Sequence, residues 1–354
     1  MISSISKTDQ LKQILLEDIK GGVFKPGEKL PSILNICKKY NVSKHTVSQT
    51  LSNLSELGII ELAHGKATRV SEEPFKKNIE IFYNGDKPID QEDFWSVFYQ
   101  GIISEIGKHP GYSYNVRSSH ENNEKSLIGF DIQDLKGSVG ALIMGTSDPR
   151  LIDMLRLYGV KFILVYDQTD SRNVSYISTD YDSVMEEMVG LFKKQGCSKI
   201  SYIGFYDDKN YKDINTSKYE MFAAAMKKQK LKFDPSMCRQ AFHNRLETAY
   251  EAMKSILDSG EIPDGIFLSS DVLAIGVYRA LHEAGLKVPE DIKIAGCDNL
   301  SISKFLVPSL TSIELFRQEI GETAVKNLIS CIENGSKEIQ LSFTPKIEIR
   351  ESLN

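Results

Sequence analysis

The chain has 354 residues and a net charge of −5 at pH 7, and this length favours two or three domains. Its five cysteines are odd in number, scattered and free of any Cys-x-x-Cys spacing, which argues against a disulfide framework and against a metal site of the zinc type. The N-terminus lacks the apolar run of a signal peptide, and no later run is apolar enough to span a bilayer. We therefore predict a cytoplasmic protein with no membrane partner.

Charge is divided unevenly along the chain. Residues 1–77 hold 12 basic and 8 acidic side chains, a net charge of +4, whereas the remainder holds 31 basic and 40 acidic side chains, a net charge of −9. A basic N-terminal segment joined to an acidic body suggests that the segment contacts a polyanion such as DNA.

Apolar residues recur at helical spacing in three segments of this basic region. They predict helices over residues 7–19, 31–40 and 43–57, and only a few residues separate the second helix from the third, as in a helix-turn-helix. Ser43 is expected to cap the third helix. The side chains expected to face a core from this helix are Val47, Leu51, Leu54 and Leu57.

The opposite face of the third helix is polar and carries no acid before Glu56. It presents Lys44, His45, Ser48, Gln49, Ser52 and Asn53. Such donors and acceptors contact phosphates and base edges, so we predict a recognition helix, although the pattern also fits an ordinary amphipathic helix with a solvated face. Two short strands, at residues 59–62 and 68–70, enclose a basic tip and predict a wing.

The first 71 residues carry a pattern that resembles the winged helix-turn-helix of GntR-type transcription regulators. The matching residues are Gly22, Lys25-Pro26-Gly27, Leu30-Pro31-Ser32, Tyr40-Asn41-Val42-Ser43, Thr46-Val47, Leu51, Leu54, Gly58-Ile59-Ile60 and Gly65-Lys66. The resemblance implies DNA contacts at Ser32, Ser43, Lys44, Thr46, Gly65 and Lys66, to which the helix face adds His45 and Gln49. Leu34 and Lys44 stand where the family usually has arginines, and Lys cannot fork across a guanine edge, so we expect a different base preference.

From residue 79 onward strands and helices alternate, which predicts parallel sheets with helices on both faces. Strands are predicted at residues 79–83, 112–116, 139–144, 162–166, 175–178, 200–204, 266–269, 292–295 and 345–349, and helices at 94–107, 151–158, 181–195, 219–229, 246–257, 273–283 and 318–334. A body of this size suits two lobes with a cleft between them. The predicted domains are a head at 1–71, a charged linker at 72–77 and an effector-binding and dimerisation domain at 78–354.

The body is similar to the LacI-type effector domain. The similarity is carried by Asp180, Lys199-Ile200-Ser201-Tyr202-Ile203-Gly204, Asp271-Val272-Leu273-Ala274-Ile275-Gly276, Ala284-Gly285-Leu286-Lys287-Val288-Pro289-Glu290-Asp291-Ile292, Gly296-Cys297-Asp298-Asn299 and Pro308-Ser309-Leu310-Thr311-Ser312-Ile313. It implies the periplasmic-binding-protein fold, with two lobes and crossing strands. Joined to a GntR-type head, such a body resembles AraR-type sugar-responsive repressors.

The resemblance also implies an effector site in the cleft, at the carboxyl ends of the strands. Its expected members are Phe94, Trp95, Asp180, Lys218, Asp271 and Asp298. An aromatic pair can stack on the C–H face of a sugar, while charged groups bind its hydroxyls. Two alternatives stay open: Asp180 and Asp271 precede helices and could serve only as caps, and the aromatic pair could belong to the core.

These features predict a ligand-responsive transcriptional regulator, a repressor that acts as a homodimer on operator DNA. The expected effector is a pentose, a hexose or a deoxyhexose. The alternative is a small-molecule sensor with weak or lost DNA binding, which Leu34 favours. Because no nucleophile, metal or cofactor motif is found, we expect no enzyme activity, no catalytic residue, no metal and no cofactor.

Overall fold

The computed structural model describes residues 6–62, 67–72, 74–85, 87–118, 135, 137–167, 173–206, 214–242, 245–335 and 338–354. The helices in these ranges are α1 (Lys7–Lys20), α2 (Ile33–Tyr40), α3 (Lys44–Glu56), α4 (Trp95–Ile106), α5 (Pro149–Leu157), α6 (Tyr181–Lys194), α7 (Ile214–Lys228), α8 (Leu246–Asp258), α9 (Leu273–Glu283) and α10 (Arg317–Asn334). The strands are β1 (Ile60–Glu61), β2 (Arg69–Val70), β3 (Lys77–Tyr83), β4 (Tyr112–Ser118), β5 (Ser138–Met144), β6 (Lys161–Val165), β7 (Ser175–Thr179), β8 (Ile200–Gly204), β9 (Arg239–Gln240), β10 (Gly265–Leu268), β11 (Lys293–Cys297), β12 (Thr311–Glu314), β13 (Gln340–Phe343) and β14 (Lys346–Glu348).

The head packs α1, α2, α3 and the antiparallel pair β1–β2 around one apolar cluster. The buried members of this cluster are Leu11, Leu15, Ile19, Phe24, Leu30, Ile36, Val47, Leu51, Leu54, Ile59, Ile60 and Val70. Each helix begins after a serine whose hydroxyl accepts a backbone N–H from the first turn, namely Ser6, Ser32 and Ser43. The predicted wing tip, with Gly65 and Lys66, lies outside the described residues.

One predicted core position in the head is wrong. Leu57 is 45% exposed, because α3 ends at Glu56 and the chain turns away at Gly58, where φ is +70°. The buried side chains that follow the turn are those of Ile59 and Ile60. The helical repeat thus stops one residue before the last leucine of the pattern.

The body forms two α/β lobes, which confirms the predicted fold class. In the first lobe the strand order is β13-β7-β6-β5-β3-β4, and every pairing is parallel. Helices α4 and α10 pack on one face of this sheet and α5 on the other, because neighbouring strand residues point to opposite faces. In the second lobe the order is β14-β12-β11-β10-β8-β9, and only the β12–β14 pair is antiparallel.

The chain crosses between the lobes at three places. The crossings lie between β7 and α6, between β12 and α10, and between β13 and β14. At the second crossing Phe316 has φ +56°, a left-handed conformation that costs a residue with a Cβ atom about 1–3 kcal/mol. These crossings place the carboxyl ends of both parallel sheets on opposite sides of one cleft.

Candidate functional sites: the helix-turn-helix face and the inter-lobe cleft

The predicted outer face of α3 is open to solvent. Lys44, His45, Ser48 and Gln49 are exposed, whereas Val47 and Leu51 on the other side are 0% and 2% exposed. The buried Thr50 hydroxyl donates to the Thr8 carbonyl at 3.2 Å and fixes α3 against the start of α1. A polar helical face on a packed support of this kind fits the major groove of DNA.

The three predicted DNA contacts Ser32, Ser43 and Thr46 also have local roles. Ser43 Oγ accepts the Thr46 N–H at 3.1 Å and lies 2.9 Å from Thr46 Oγ1, and Ser32 Oγ accepts the Asn35 N–H at 3.3 Å. Both serines are caps and are exposed. Because a hydroxyl has two acceptor sites and one donor, each serine can cap its helix and still contact a phosphate.

A cleft of about 1660 Å³ lies between the lobes. Its lining includes residues that directly follow parallel strands of both sheets: Asn84, Gly145 and Tyr166 after β3, β5 and β6, and Ser269 and Asp298 after β10 and β11. Ligands of open α/β sheets bind at these carboxyl ends, so the cleft is the candidate effector site.

One side of the cleft is an aromatic wall, formed by Phe94, Trp95 and Tyr166. The Phe94 and Trp95 rings lie edge to face with centroids 4.8 Å apart, and Trp95 Nε1 donates to the Asn84 carbonyl at 3.0 Å. A Cβ atom at Gly145 would lie 2.6 Å from Trp95 Cζ2, so glycine is needed there. Both predicted aromatic residues are half-buried and line the cleft.

Tyr166 was not predicted as a site residue. It has φ +64° and lies 5.1 Å from Phe94 between ring centroids. Its hydroxyl is hydrogen-bonded to that of Tyr181, which begins α6 in the second lobe. The available signal was an aromatic residue at the end of a buried strand.

The opposite side of the cleft holds a buried charge pair, Lys218 and Asp298, each 3% exposed. Lys218 Nζ lies 3.6 Å from Asp298 Oδ1, donates to the Ser269 carbonyl at 3.2 Å and lies 5.2 Å from the centre of the Tyr181 ring. Burial opposes the ammonium charge, but Asp298, together with the buried Cys297, Tyr166 and Tyr202 side chains, outweighs burial, and the pKa of Lys218 is well above its usual value. Among the described residues Asp298 Oδ1 has no hydrogen-bond partner, so it can accept a hydrogen bond from a ligand.

The predicted effector contact at Asp271 is wrong. Its carboxylate is fully buried and accepts hydrogen bonds from Leu300 N at 2.8 Å, Ser303 Oγ at 2.6 Å and Ser312 Oγ at 2.7 Å. It is absent from the cleft lining. Asp271 instead braces the Asp298 turn, residues 298–300, in which Asp298 and Asn299 have φ values of +102° and +43°.

Asp180 is likewise placed as a helix cap, the alternative that the sequence left open. Its carboxylate accepts the Ser183 N–H at 3.3 Å and the Ser183 hydroxyl at 2.8 Å, at the start of α6. It does not belong to the cleft lining, and its predicted effector contact stays a prediction. The carboxylate lies at the first lobe crossing and is used by its own helix.

Arg317 is a further cleft residue that the sequence did not predict. Its side chain is 4% exposed, and its guanidinium donates from Nη2 to the Asp298 carbonyl at 2.6 Å and from Nη1 to the Phe94 carbonyl at 3.3 Å. The sequence predicts that the last helix begins at residue 318, so Arg317 is expected in the loop before it, whereas α10 begins at Arg317. The available signal is an arginine that follows two apolar residues, Leu315 and Phe316.

Neither a metal cluster nor a membrane-spanning helix is present in the described part of the chain. No group of three or more His, Cys, Asp or Glu side chains there is arranged to hold a metal ion. Within the same ranges, no helix is long and apolar enough to cross a membrane.

Two sequence families match the chain. Residues 7–70 match the bacterial regulatory proteins of the gntR family, and residues 189–353 match the periplasmic binding protein-like domain. Among curated relatives, the HTH-type transcriptional repressor PurR of Histophilus somni is 34% identical over 264 residues, which cover 71% of this chain and 75% of that protein. The HTH-type transcriptional regulator GalR of Streptococcus thermophilus is 26% identical over 310 residues, 84% of this chain and 91% of that protein.

Solved structures show the same fold. The transcriptional regulator CelR in complex with cellobiose superposes with a TM-score of 0.67 at 18% identity and covers 88% of this chain and 91% of its own. A LacI family regulator from Enterococcus faecium with bound ribose gives 0.64 at 22% identity, with 78% and 98% covered. The PurR relative is more than 30% identical to this chain, and three quarters of its length is covered. The chain therefore belongs to the LacI-type family of HTH transcriptional regulators, and its head is of the gntR type.

Proposed function

We propose that the chain is a cytoplasmic repressor that binds operator DNA as a homodimer and whose operator affinity changes when a small carbohydrate fills the cleft. The observation that carries the proposal is the pairing, in one chain, of an exposed polar α3 face with a cleft whose aromatic wall faces the buried Lys218–Asp298 pair. The chain acts by binding and performs no catalysis.

The chemistry of the cleft favours a sugar. Rings such as those of Phe94 and Trp95 offer flat apolar surfaces to the C–H face of a pyranose, while Asp298 Oδ1 can accept a hydrogen bond from a sugar hydroxyl. Removing that hydroxyl from the ligand would leave the buried Oδ1 without a hydrogen bond, which favours selectivity for a particular sugar. Bound cellobiose and bound ribose in the two structural relatives support this class of ligand.

DNA recognition is assigned to α3 and the wing, with domain limits at 1–71 for the head, 72–77 for the linker and 78–354 for the body. The proposed linker packs on the head: Pro74 is buried, and Lys20 Nζ lies 5.6 Å from the centre of the Phe75 ring. Because β3 begins at Lys77, few residues separate these contacts from the sheet of the first lobe. A short, packed linker of this kind can pass movement of the body to the head.

The homodimer is proposed to use an apolar patch of the second lobe. Phe305 is 77% exposed and Val307 is 89% exposed, whereas Leu306 between them packs on the core. Two neighbouring apolar side chains with this exposure are typical of a protein contact surface. Pairing two heads raises their effective concentration on a two-part operator, which a single head with few phosphate contacts requires.

Gel-shift titration of a DNA fragment from the region upstream of the coding sequence tests the proposal, with and without D-ribose, D-galactose, L-fucose and cellobiose. We expect a retarded complex whose midpoint moves with at least one sugar. A sugar that raises the melting temperature without any complex at low salt would favour the second candidate, a sensor without DNA binding. That candidate is supported by Leu34, which is 66% exposed where the family has an arginine.

A further inference from the structure

Arg317 lies at the floor of the cleft, and its side chain contacts both lobes. We infer that Arg317 is a positioning residue that holds the aromatic wall and the Asp298 turn at the separation that an effector requires. This inference rests on the proposed effector site, and it concerns a residue that neither the sequence pattern nor the charge pair predicts.

The geometry places one planar group between the two sides of the cleft. The guanidinium donates to the Phe94 carbonyl in the first lobe and to the Asp298 carbonyl in the second, and its carbon lies 5.3 Å from the centre of the Phe94 ring. Because one guanidinium binds both carbonyls, a change in the distance between the carbonyls must break or stretch one of the two bonds. Both carbonyls belong to residues of the effector site. Arg317 therefore fixes the distance between the two recognition surfaces.

The Asp298 turn needs such support from outside its own lobe. The turn is held from within the second lobe by Asp271, which accepts the Leu300 N–H, and by Arg350, whose Nη2 donates to Asn299 Oδ1 at 2.6 Å. Arg317 adds a bond from the first lobe to the carbonyl of Asp298, the residue whose carboxylate faces the cleft. The orientation of that carboxylate is thus coupled to the position of the first lobe.

Arg317 also follows the strained crossing residue Phe316, so any rotation at this crossing moves the guanidinium relative to one of its partners. Its Nε is buried and has no hydrogen-bond partner among the residues the structure describes. A hydroxyl or ring oxygen of a sugar is an acceptor that this donor could use. Lysine would keep the charge at this position but could not donate to both carbonyls from one planar group.

The separation of the lobes can be measured without any ligand. In full-length protein carrying Cys37→Ser, spin labels are placed at Asp153→Cys on α5 and Glu247→Cys on α8, both exposed and on different lobes. Cys37 is replaced because it is half-buried, whereas the other four cysteines are buried. Pulsed electron–electron double resonance then compares the label distances of Arg317→Lys, Arg317→Gln and the control Arg350→Lys.

The control is matched because Arg350 also donates two hydrogen bonds, to the Leu310 carbonyl and to Asn299, but within the second lobe alone. We expect Arg317→Lys to shift and broaden the distance distribution beyond its width in the unsubstituted protein, and Arg350→Lys to leave it unchanged. Coincident distributions for Arg317→Lys and the unsubstituted protein would overturn the inference. If the lysine variant does not fold, as judged by circular dichroism, Arg317→Gln supplies the same comparison.

A second readout uses thermal shift with D-ribose, D-galactose, L-fucose and cellobiose. Any sugar that stabilises the unsubstituted protein should bind Arg317→Lys roughly tenfold more weakly or worse. Unchanged affinity in Arg317→Lys would contradict the positioning role. If none of the four sugars stabilises the unsubstituted protein, the proposed sugar effector fails, whereas the label distances still decide the role of Arg317.

Discussion

Asp271 links the pH dependence of folding to the turn that carries Asp298. The carboxyl group is fully buried, and burial, together with the negative charge of Asp298, raises its pKa to about 7 against the opposing hydrogen bonds of Ser303, Ser312 and Leu300 N. In the unfolded chain the same group titrates near its ordinary value of about 3.9. Asp271 is therefore protonated in the folded protein over a pH range in which it is ionised in the unfolded chain.

The sign and size of the effect follow from this difference. Between about pH 4 and pH 7 the folded state binds a proton that the unfolded state has lost, so the contribution to stability is fully present below about pH 4 and is lost as the pH rises through about 7. At about 1.4 kcal/mol per pKa unit, the difference between the folded and unfolded pKa values of Asp271 corresponds to about 4 kcal/mol of stability.

Asp271→Asn keeps the shape of the side chain but cannot ionise. Its free energy of unfolding relative to the unsubstituted protein should therefore rise by about 3 kcal/mol between pH 5 and pH 8, measured by urea unfolding with far-ultraviolet circular dichroism. Asp148→Asn is the control: hydrogen bonds from Arg150 lower the pKa of Asp148, so its contribution to stability is lost only at acid pH, and its profile should stay level with that of the unsubstituted protein between pH 5 and pH 8. Parallel pH profiles for Asp271→Asn and the unsubstituted protein would show that Asp271 does not titrate near neutral pH in the folded protein.

Three further predictions concern binding and assembly. Lys44→Ala should weaken binding to every operator sequence and lower, by about one unit, the slope of log binding constant against log salt concentration, whereas Gln49→Ala should keep this slope and relax base preference. Anisotropy titrations at several salt concentrations check both variants. An unchanged slope for Lys44→Ala would show that Lys44 does not contact a phosphate. Asp298→Asn should weaken sugar binding by roughly tenfold or more in thermal-shift titrations, because a charge-assisted hydrogen bond is lost, and unaltered affinity would exclude this acid as a contact. Phe305→Ser combined with Val307→Ser should shift sedimentation toward the monomer, and an intact dimer would place the contact surface elsewhere.

Local signals account for most of what could be predicted. The head depends on short-range features, such as the Ser43 cap and the spacing of Val47, Leu51 and Leu54, and its three helices form where these features predict them. The long alternation of strands and helices in the body likewise reflects local patterns, because strands such as β5 and β6 are largely apolar on their own. The predicted burial of Leu57 is wrong because the turn at Gly58 ends the helical repeat of apolar residues.

Features that depend on distant partners could not be predicted. Strand β13 is short and largely exposed, and it forms because it pairs with β7, more than 150 residues earlier in the chain. Asp271 and Asp298 both follow buried strands, and only the folding of residues 300–312 over Asp271 separates the bracing acid from the cleft acid. Arg317 gains its role from two carbonyls that the sequence places far apart.

Occupancy of the cleft is proposed to control binding of DNA, and one sample can test both events. Trp95 is the only tryptophan of the chain and lies in the cleft, so its fluorescence reports the effector, while the anisotropy of a labelled operator fragment reports the head. Titrating the stabilising sugar into the full-length protein with operator should change both signals with the same midpoint. A change in Trp95 emission with constant operator anisotropy would contradict the account.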